Sequence, residues 1–266
     1  MNNYKSQFGL SLIELMVAMA ISSFLIIGVT QIYIDNKKSY SFQQNLAENQ
    51  EGSRFASLFL QQELGRAGYR RRPDESIEGA FPAATVSGCT FSAGETVKRD
   101  SANSICIRYQ PKDATDRDCL GNTVTTAANF TTPYTKATEI FSEKLSINSA
   151  NELTCTRGST TAALISGVLD LRFEYGVGSA TTPQAINSYI KTSPGTNQPV
   201  LAIRYTILLR SSSINLREAV SIDTALLNWK DLTGATAAEV TAMKALDSGQ
   251  IYQVSQNTVM LRNRMP

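Results

Sequence analysis

Histidine is absent from the 266 residues of this chain. Without imidazole there is no Ser-His-Asp or Cys-His catalytic set, no H-E-x-x-H zinc site and no histidine general base. Cysteine is scarce: Cys89, Cys106, Cys119 and Cys155 are the only four, and none forms a C-x-x-C pair, which argues against zinc and against a redox-active motif. P-loop, G-x-G-x-x-G and G-x-S-x-G motifs are missing, and no pair of carboxylates stands out as catalytic. No enzymatic activity and no cofactor are therefore expected. Charge of one sign is lacking too. With 25 basic and 23 acidic residues the net charge is +2, so electrostatics give no case for a nucleic-acid or acidic-lipid partner.

What the chain does have is concentrated at its beginning. A short polar stretch, Met1 to Phe8, carries one basic residue, Lys5, and meets Gly9. From Leu10 to Ile34 the sequence is predominantly apolar, long enough to cross a hydrocarbon layer of about 30 Å as a helix. One carboxylate, Glu14, interrupts it near the start. An ionised side chain in such a segment costs roughly 2.5 to 3.5 kcal/mol at mid-bilayer and less near the interface, which marks it as a functional group awaiting a partner.

Gly9, apolar residues, Glu14 at the fifth position after the glycine and then about twenty mostly apolar residues together resemble the class III signal of type IV prepilins. The resemblance implies that a membrane peptidase cuts between Gly9 and Leu10 and that the new amine of Leu10 is methylated. Phe is usual in the family where Leu10 stands here. Glu14 has a physical role beside the resemblance: as subunits stack, a neighbour's terminal amine and this carboxylate neutralise one another in a medium that penalises either charge alone. Two other readings compete. Ala18-Met19-Ala20 has the look of an ordinary secretory cleavage site, although apolar sequence continues to Ile34, and a plain signal anchor needs no role for Glu14 beyond snorkelling.

Beyond the leader and span, roughly 230 residues remain, enough for one domain with a sizeable core. A content of 42% hydrophobic and 18% charged residues is ordinary for such a domain. On the far side of the span the cysteines meet an oxidising compartment, so two disulfides are expected. Three connectivities exist. Cys89 with Cys106 and Cys119 with Cys155 is favoured, because each closes a modest loop between a turn-like segment and a strand-like one, worth about 2 to 4 kcal/mol.

Gln31 to Ala67 contains no proline, and Leu46, Ala56, Leu60, Leu64 and Ala67 recur largely at three- and four-residue intervals among Gln, Asn, Glu and Arg. The pattern predicts one helix from Leu10 to about Ala67, apolar first and amphipathic second, on the order of 85 Å long at about 1.5 Å per residue. Gly68, Arg70-Arg71-Arg72 and Pro73 end it, with the arginines expected as a solvated cluster at the C-terminal end of the dipole. The expected organisation is a leader at 1–9, a membrane-spanning assembly half of the helix at 10–34, an amphipathic half at 35–72 and a β-rich head at 73–266.

After Pro73 the period changes to two. Ile105–Tyr109, Glu139–Ile147, Glu152–Thr156, Val168–Tyr175, Leu201–Leu209 and Ile251–Asn263 are predicted strands. In Val168–Tyr175, Leu169, Leu171, Phe173 and Tyr175 share one face and Asp170, Arg172 and Glu174 the other. Such one-sided strands predict an antiparallel sheet packed on the long helix, an α+β fold. A short helix is expected at Ala237–Leu246 and another within Pro183–Lys191. Loops are expected at Gly79–Ser104, Pro111–Thr138, Val177–Thr182 and Thr192–Gln198. Asp113, Asp116 and Asp118, with Asn122, are a weak candidate calcium set, since the glycine and terminal glutamate of an EF-hand are missing and a solvated polar loop fits as well.

Leu164 to Val177, Val200 to Ser211 and Val259 to Arg264 are similar to segments of PilW-type minor pilins, and the layout resembles that of the type II secretion minor pseudopilin J. The resemblance implies a type IV pilin-like fold and a structural role: a subunit that joins other minor pilins and the major pilin, primes assembly, sits at or near the tip and supports twitching motility and adhesion. It implies a prepilin peptidase during processing, the inner membrane as a single-pass site before assembly, with the head in the periplasm, and then the fibre surface of a Gram-negative bacterium. A tip adhesin is a further implied partner; nucleic acid is not. A minor pseudopilin J-like tip component of a type II secretion system is one alternative, and a membrane-anchored module that binds DNA, glycan or calcium is the alternative of another class.

Overall fold

A computed structural model of the chain describes residues 9, 11–126, 130–137, 139–195, 198–217 and 220–264. The chain divides into two units, Met1–Asn45 and Leu46–Pro266.

The described part of the first unit is Gly9, Ser11 and the opening stretch of α1 (Leu12–Arg66). Its large apolar side chains, Leu12, Ile13, Phe24, Ile26 and Ile32 among them, are exposed. The stretch is long and apolar enough to cross a membrane. Two of its hydroxyls bond back to their own helix: Ser23 and Thr30 donate to the carbonyls of Met19 and Ile26 at 2.8 and 2.7 Å.

In the second unit the remaining residues of α1 are amphipathic. Ala56, Leu60 and Leu64, spaced by four, are fully buried, whereas Phe55 and Leu58 are exposed. The helix ends in a left-handed glycine, Gly68 (φ 77°), whose N–H donates to the carbonyl of Arg108 at 3.0 Å. A side chain at Gly68 would also meet Arg264, so glycine is required there.

The head then runs through α2 (Ile77–Ala80), β1 (Ala84–Val86), β2 (Cys89–Phe91), β3 (Val97–Ser101), β4 (Ser104–Tyr109), β5 (Phe141–Ile147), β6 (Glu152–Arg157), β7 (Thr160–Ser166), β8 (Val168–Val177), β9 (Ser188–Ile190) and β10 (Val200–Arg210). It closes with α3 (Ile222–Ala225), α4 (Leu227–Thr233), α5 (Ala237–Ala245), β11 (Tyr252–Met260) and a 3-10 turn at Arg262–Arg264. β1 and β2 form a hairpin. The other strands form two antiparallel sheets, ordered β3-β4-β5-β6-β7 and β11-β10-β8-β9. A principal core gathers Leu60 and Leu64 of α1 with Ile105, Ile107, Phe141 and Leu145 of the first sheet and Leu171, Ile203 and Ile207 of the second. A smaller core, Leu169, Leu208, Leu226, Trp229 and Ala235, lies on the opposite face of the second sheet.

The α+β class and the long helix agree with the sequence. Other expectations do not hold. Among the described residues, two larger sheets and a hairpin stand where one sheet was expected, and β8 and β10 are covered on both faces because α4 and α5 cap the side expected to be polar. Leu169 does not share a face with Leu171, Phe173 and Tyr175. The β8–β10 register slips between Leu208 and Leu209, and the extra residue puts Val168 in the principal core and Leu169 in the smaller one.

Gly79–Ser104, expected as loop, holds β1, β2 and β3, strands of three to five residues too short to show alternation. Ser87 and Gly88, at φ 54° and 77°, make the two-residue turn between β1 and β2. Pro183–Lys191 holds no helix; three of its residues form β9, an edge strand on the end of β8. β7, α3 and α4 were not anticipated, because their runs are short and mix small, polar and apolar residues without clean periodicity.

Candidate assembly site and head-domain anchors

Ser11 and Glu14 begin α1 with a reciprocal pair of bonds. Glu14 N–H donates to Ser11 Oγ at 3.2 Å, and Ser11 N–H donates to Glu14 Oε2 at 2.9 Å. This is a capping box, which satisfies two of the amide groups that a helix start leaves without partners. The carboxylate also lies at the positive end of the helix dipole. Gly9 is exposed; Leu10, the expected cleavage and methylation residue, lies outside the described residues, as do Met1 to Phe8. Glu14 therefore has a local role that the charge argument overlooked. Its signal was legible: S-x-x-E immediately ahead of an apolar run.

The structure joins Cys89 to Cys106 and Cys119 to Cys155. The first bond ties the β1–β2 hairpin to β4, and the second ties the segment after Gln110 to β6.

Asp113, Asp116 and Asp118 do not converge. Asp113 accepts from the amide of Thr115 at 2.8 Å, Asp116 pairs with Arg66, and Asp118 pairs with Arg157 at 2.6 Å while accepting from the amides of Leu120 and Asn122 at 2.9 and 2.7 Å. Each carboxylate is spent on shaping the loop, and Asn122 contributes its backbone to that turn.

Of the three arginines after α1, only Arg70 and Arg72 stay near the surface; Arg71 is buried. Its guanidinium donates to the carbonyls of Lys112, Thr132 and Thr135 and lies over the Phe130 ring at 4.9 Å. A solvated cluster was expected at all three; instead Arg71 gathers the described parts of the 111–135 segment. Arg108, 1% exposed, does the same for the segment before β3. It sits between the Phe81 and Phe91 rings and donates to the carbonyls of Phe81, Pro82, Ser92 and Glu95. Burial brings its pKa down to about 10, only partly offset by the charge of Glu95.

Asp170, 2% exposed, sits where β8 meets the helical cap. It accepts from Arg172 Nε, from Asn103 of the β3–β4 turn and from the indole of Trp229 on α4. Arg172 reaches on to Glu239 of α5 at 2.8 Å. Finally, Asn263 Nδ2 donates to the carbonyls of Gly65, Arg66 and Ala67 at 3.1, 3.5 and 3.4 Å, sealing the end of α1. Long-range partners of this kind leave no mark in the local sequence.

An exposed apolar helix with a capped carboxylate at its start, and a disulfide-bonded head of antiparallel sheets, define a type IV pilin-like protein. Residues 4–30 match the prokaryotic N-terminal methylation motif. Residues 131–263, half of the chain, match the type IV pilus-assembly protein W family, and the chain belongs to that family of minor pilins. A type IV-like pilin from Thermus thermophilus is similar in structure, with 12% sequence identity and a TM-score of 0.42, over 80% of this chain and 96% of its own. No curated protein matches the sequence.

Proposed function

We propose that this chain is a low-abundance structural subunit that joins other minor pilins to prime fibre assembly and occupies a position at or near the tip. The observation that carries the reading is Glu14: one carboxylate in an otherwise apolar, exposed span, held at the third position of the helix. Before assembly its charge is met by the Ser11 amide and the helix start. In the fibre, the methylated amine of a neighbouring subunit replaces water as its counter-charge, so leaving the bilayer and joining the stack become one step.

Residues 1–9 are the leader in this reading, 10–34 the membrane and assembly segment, 35–72 the amphipathic continuation and 73–266 the head, which faces the periplasm until the subunit enters the fibre. A head of this size fits best where nothing must stack above it. A bulky terminal head also has room to seat an adhesin.

Glu14→Gln separates the two roles of the side chain, because glutamine also serves in a capping box whereas its charge is gone. Glu14→Gln protein is expected to reach the membrane and lose its leader yet to be missing from sheared fibres. Ser11→Ala, which weakens the cap and keeps the charge, should still be incorporated. Wild-type incorporation of Glu14→Gln would overturn the proposal. Mass spectrometry of the mature terminus should find methylated Leu10, and deletion of the protein should reduce surface fibres and twitching while the level of major pilin stays unchanged.

A further inference from the structure

α1 and β5 meet, inside the head, at two carboxyl groups removed from water. Glu63, on the helix face that carries Leu60 and Leu64, is 3% exposed, and Glu143 of β5 is 0% exposed. Arg66 and Tyr109 link the two groups into one cluster, and the charge of each carboxylate acts on the other. Glu143 Oε1 accepts from the Tyr109 hydroxyl at 2.8 Å and from the Cys119 amide at 2.9 Å. Its Oε2 is buried without a donor among the described residues. Glu63 Oε2 accepts from Arg66 at 2.9 Å, but that guanidinium is shared with Asp116 and lies over the Tyr109 ring at 4.3 Å. Among the described residues, three carboxyl groups thus face the Arg66 guanidinium. Two carboxylates sharing one site within a protein interior do not both ionise, and an oxygen that lacks a donor is satisfied once it carries a proton and becomes one.

We propose that Glu143 Oε2 holds a proton and donates it to Glu63, so that the joint between α1 and the first sheet is a latch closed by one shared proton and weakened by its loss. The groups facing it are Glu63 and Arg66 from α1, Tyr109 from β4, Asp116 and the Cys119 amide from the intervening segment, and Cys155 from β6, whose sulfur is held in the disulfide. Burial, and then the neighbouring Glu63 charge, push Glu143 up to about 8; burial raises Glu63 as well. Both shifts favour the protonated form in the folded state. The folded chain therefore binds more protons than the unfolded one between the ordinary carboxyl range and about pH 8, and stability falls as pH rises through that window, then levels off.

Thermal melting of the full chain in detergent micelles between pH 5 and pH 9.5 tests the latch. The melting temperature of the wild type should fall steadily toward pH 9. Glu63→Gln supplies a permanent amide donor to Glu143 and still accepts from Arg66, so its curve should be flatter and should cross above that of the wild type near pH 9. Glu143→Gln, which copies the protonated acid, should flatten in the same way and stands in should Glu63→Gln fail to fold. Curves of either variant that run parallel to the wild type would overturn the latch. Infrared spectra of the wild type give a readout without substitution: a protonated-carboxyl C=O band is expected at pH 6 and should vanish by pH 10, and its absence at pH 6 would equally dispose of the shared proton.

Discussion

Asp170 Oδ2 accepts a hydrogen bond at 2.8 Å from the indole Nε1 of Trp229, and through this contact β8 holds the helical cap over the outer face of the second sheet. Trp229 is fully buried and is the only tryptophan in the chain.

Asp170→Ala removes the acceptor of the indole, of Arg172 and of Asn103 together, leaving a half-paired arginine beside an apolar cluster. The expected cost is about 3 to 5 kcal/mol, the usual effect of breaking a buried pair from one side. Denaturant unfolding followed by tryptophan fluorescence measures it directly, since the one indole reports on the affected contact.

Arg108→Met should cost about 3 kcal/mol or more, because four backbone carbonyls lose their donor in a site closed to water. Arg108→Lys should recover little, as a single ammonium cannot span the fork. The change in melting temperature of each variant against the wild type is the check.

Replacing each cysteine pair by serine should destabilise by about 2 to 4 kcal/mol. The Cys119–Cys155 bond closes the longer loop, a separation of 36 residues against 17, so its loss should cost roughly 0.6 kcal/mol more in chain entropy. Chemical denaturation of the two double variants under non-reducing conditions gives the order.

Glu239 caps α5 through the backbone and hydroxyl of Thr236 and pairs with Arg172, and these bonds, the Thr236 amide foremost, bring its carboxyl down to about 2. A depressed acid contributes stability that is complete above its unfolded value, near 4.5, and is lost as pH falls toward 2. The group is partly exposed, so water screens much of the effect. Glu239→Gln should flatten the acid limb of the stability curve between those values, lying modestly below the wild type at neutral pH and meeting it near pH 2; equal slopes for both proteins would contradict the assignment.

Local chemistry made the beginning of the chain readable. Ser11, Glu14 and Gly68 act within a turn of where they stand, so the start and stop of α1 are visible in composition and spacing. Ile105, Phe141 and Ile203 were equally legible, because alternation over five or more residues shows in a single strand. Leu169 was misplaced because its face is decided by a bulge against β10, a partner some forty residues further on. Arg71 was taken for a surface charge because its carbonyl acceptors belong to a segment with no periodicity of its own. The pairing of Glu63 with Glu143 lies in the same class: two ordinary acids become unusual only when folding brings them together out of water.

Asn263 reaches back 197 residues to close the carbonyl end of α1 at Arg66. The carbonyl end of α1 is thus closed by a side chain that follows β11. A head folded with β11 astray carries Asn263 away with it and leaves those three carbonyls of α1 without their donor, so an error of sheet pairing is felt as fraying of a helix.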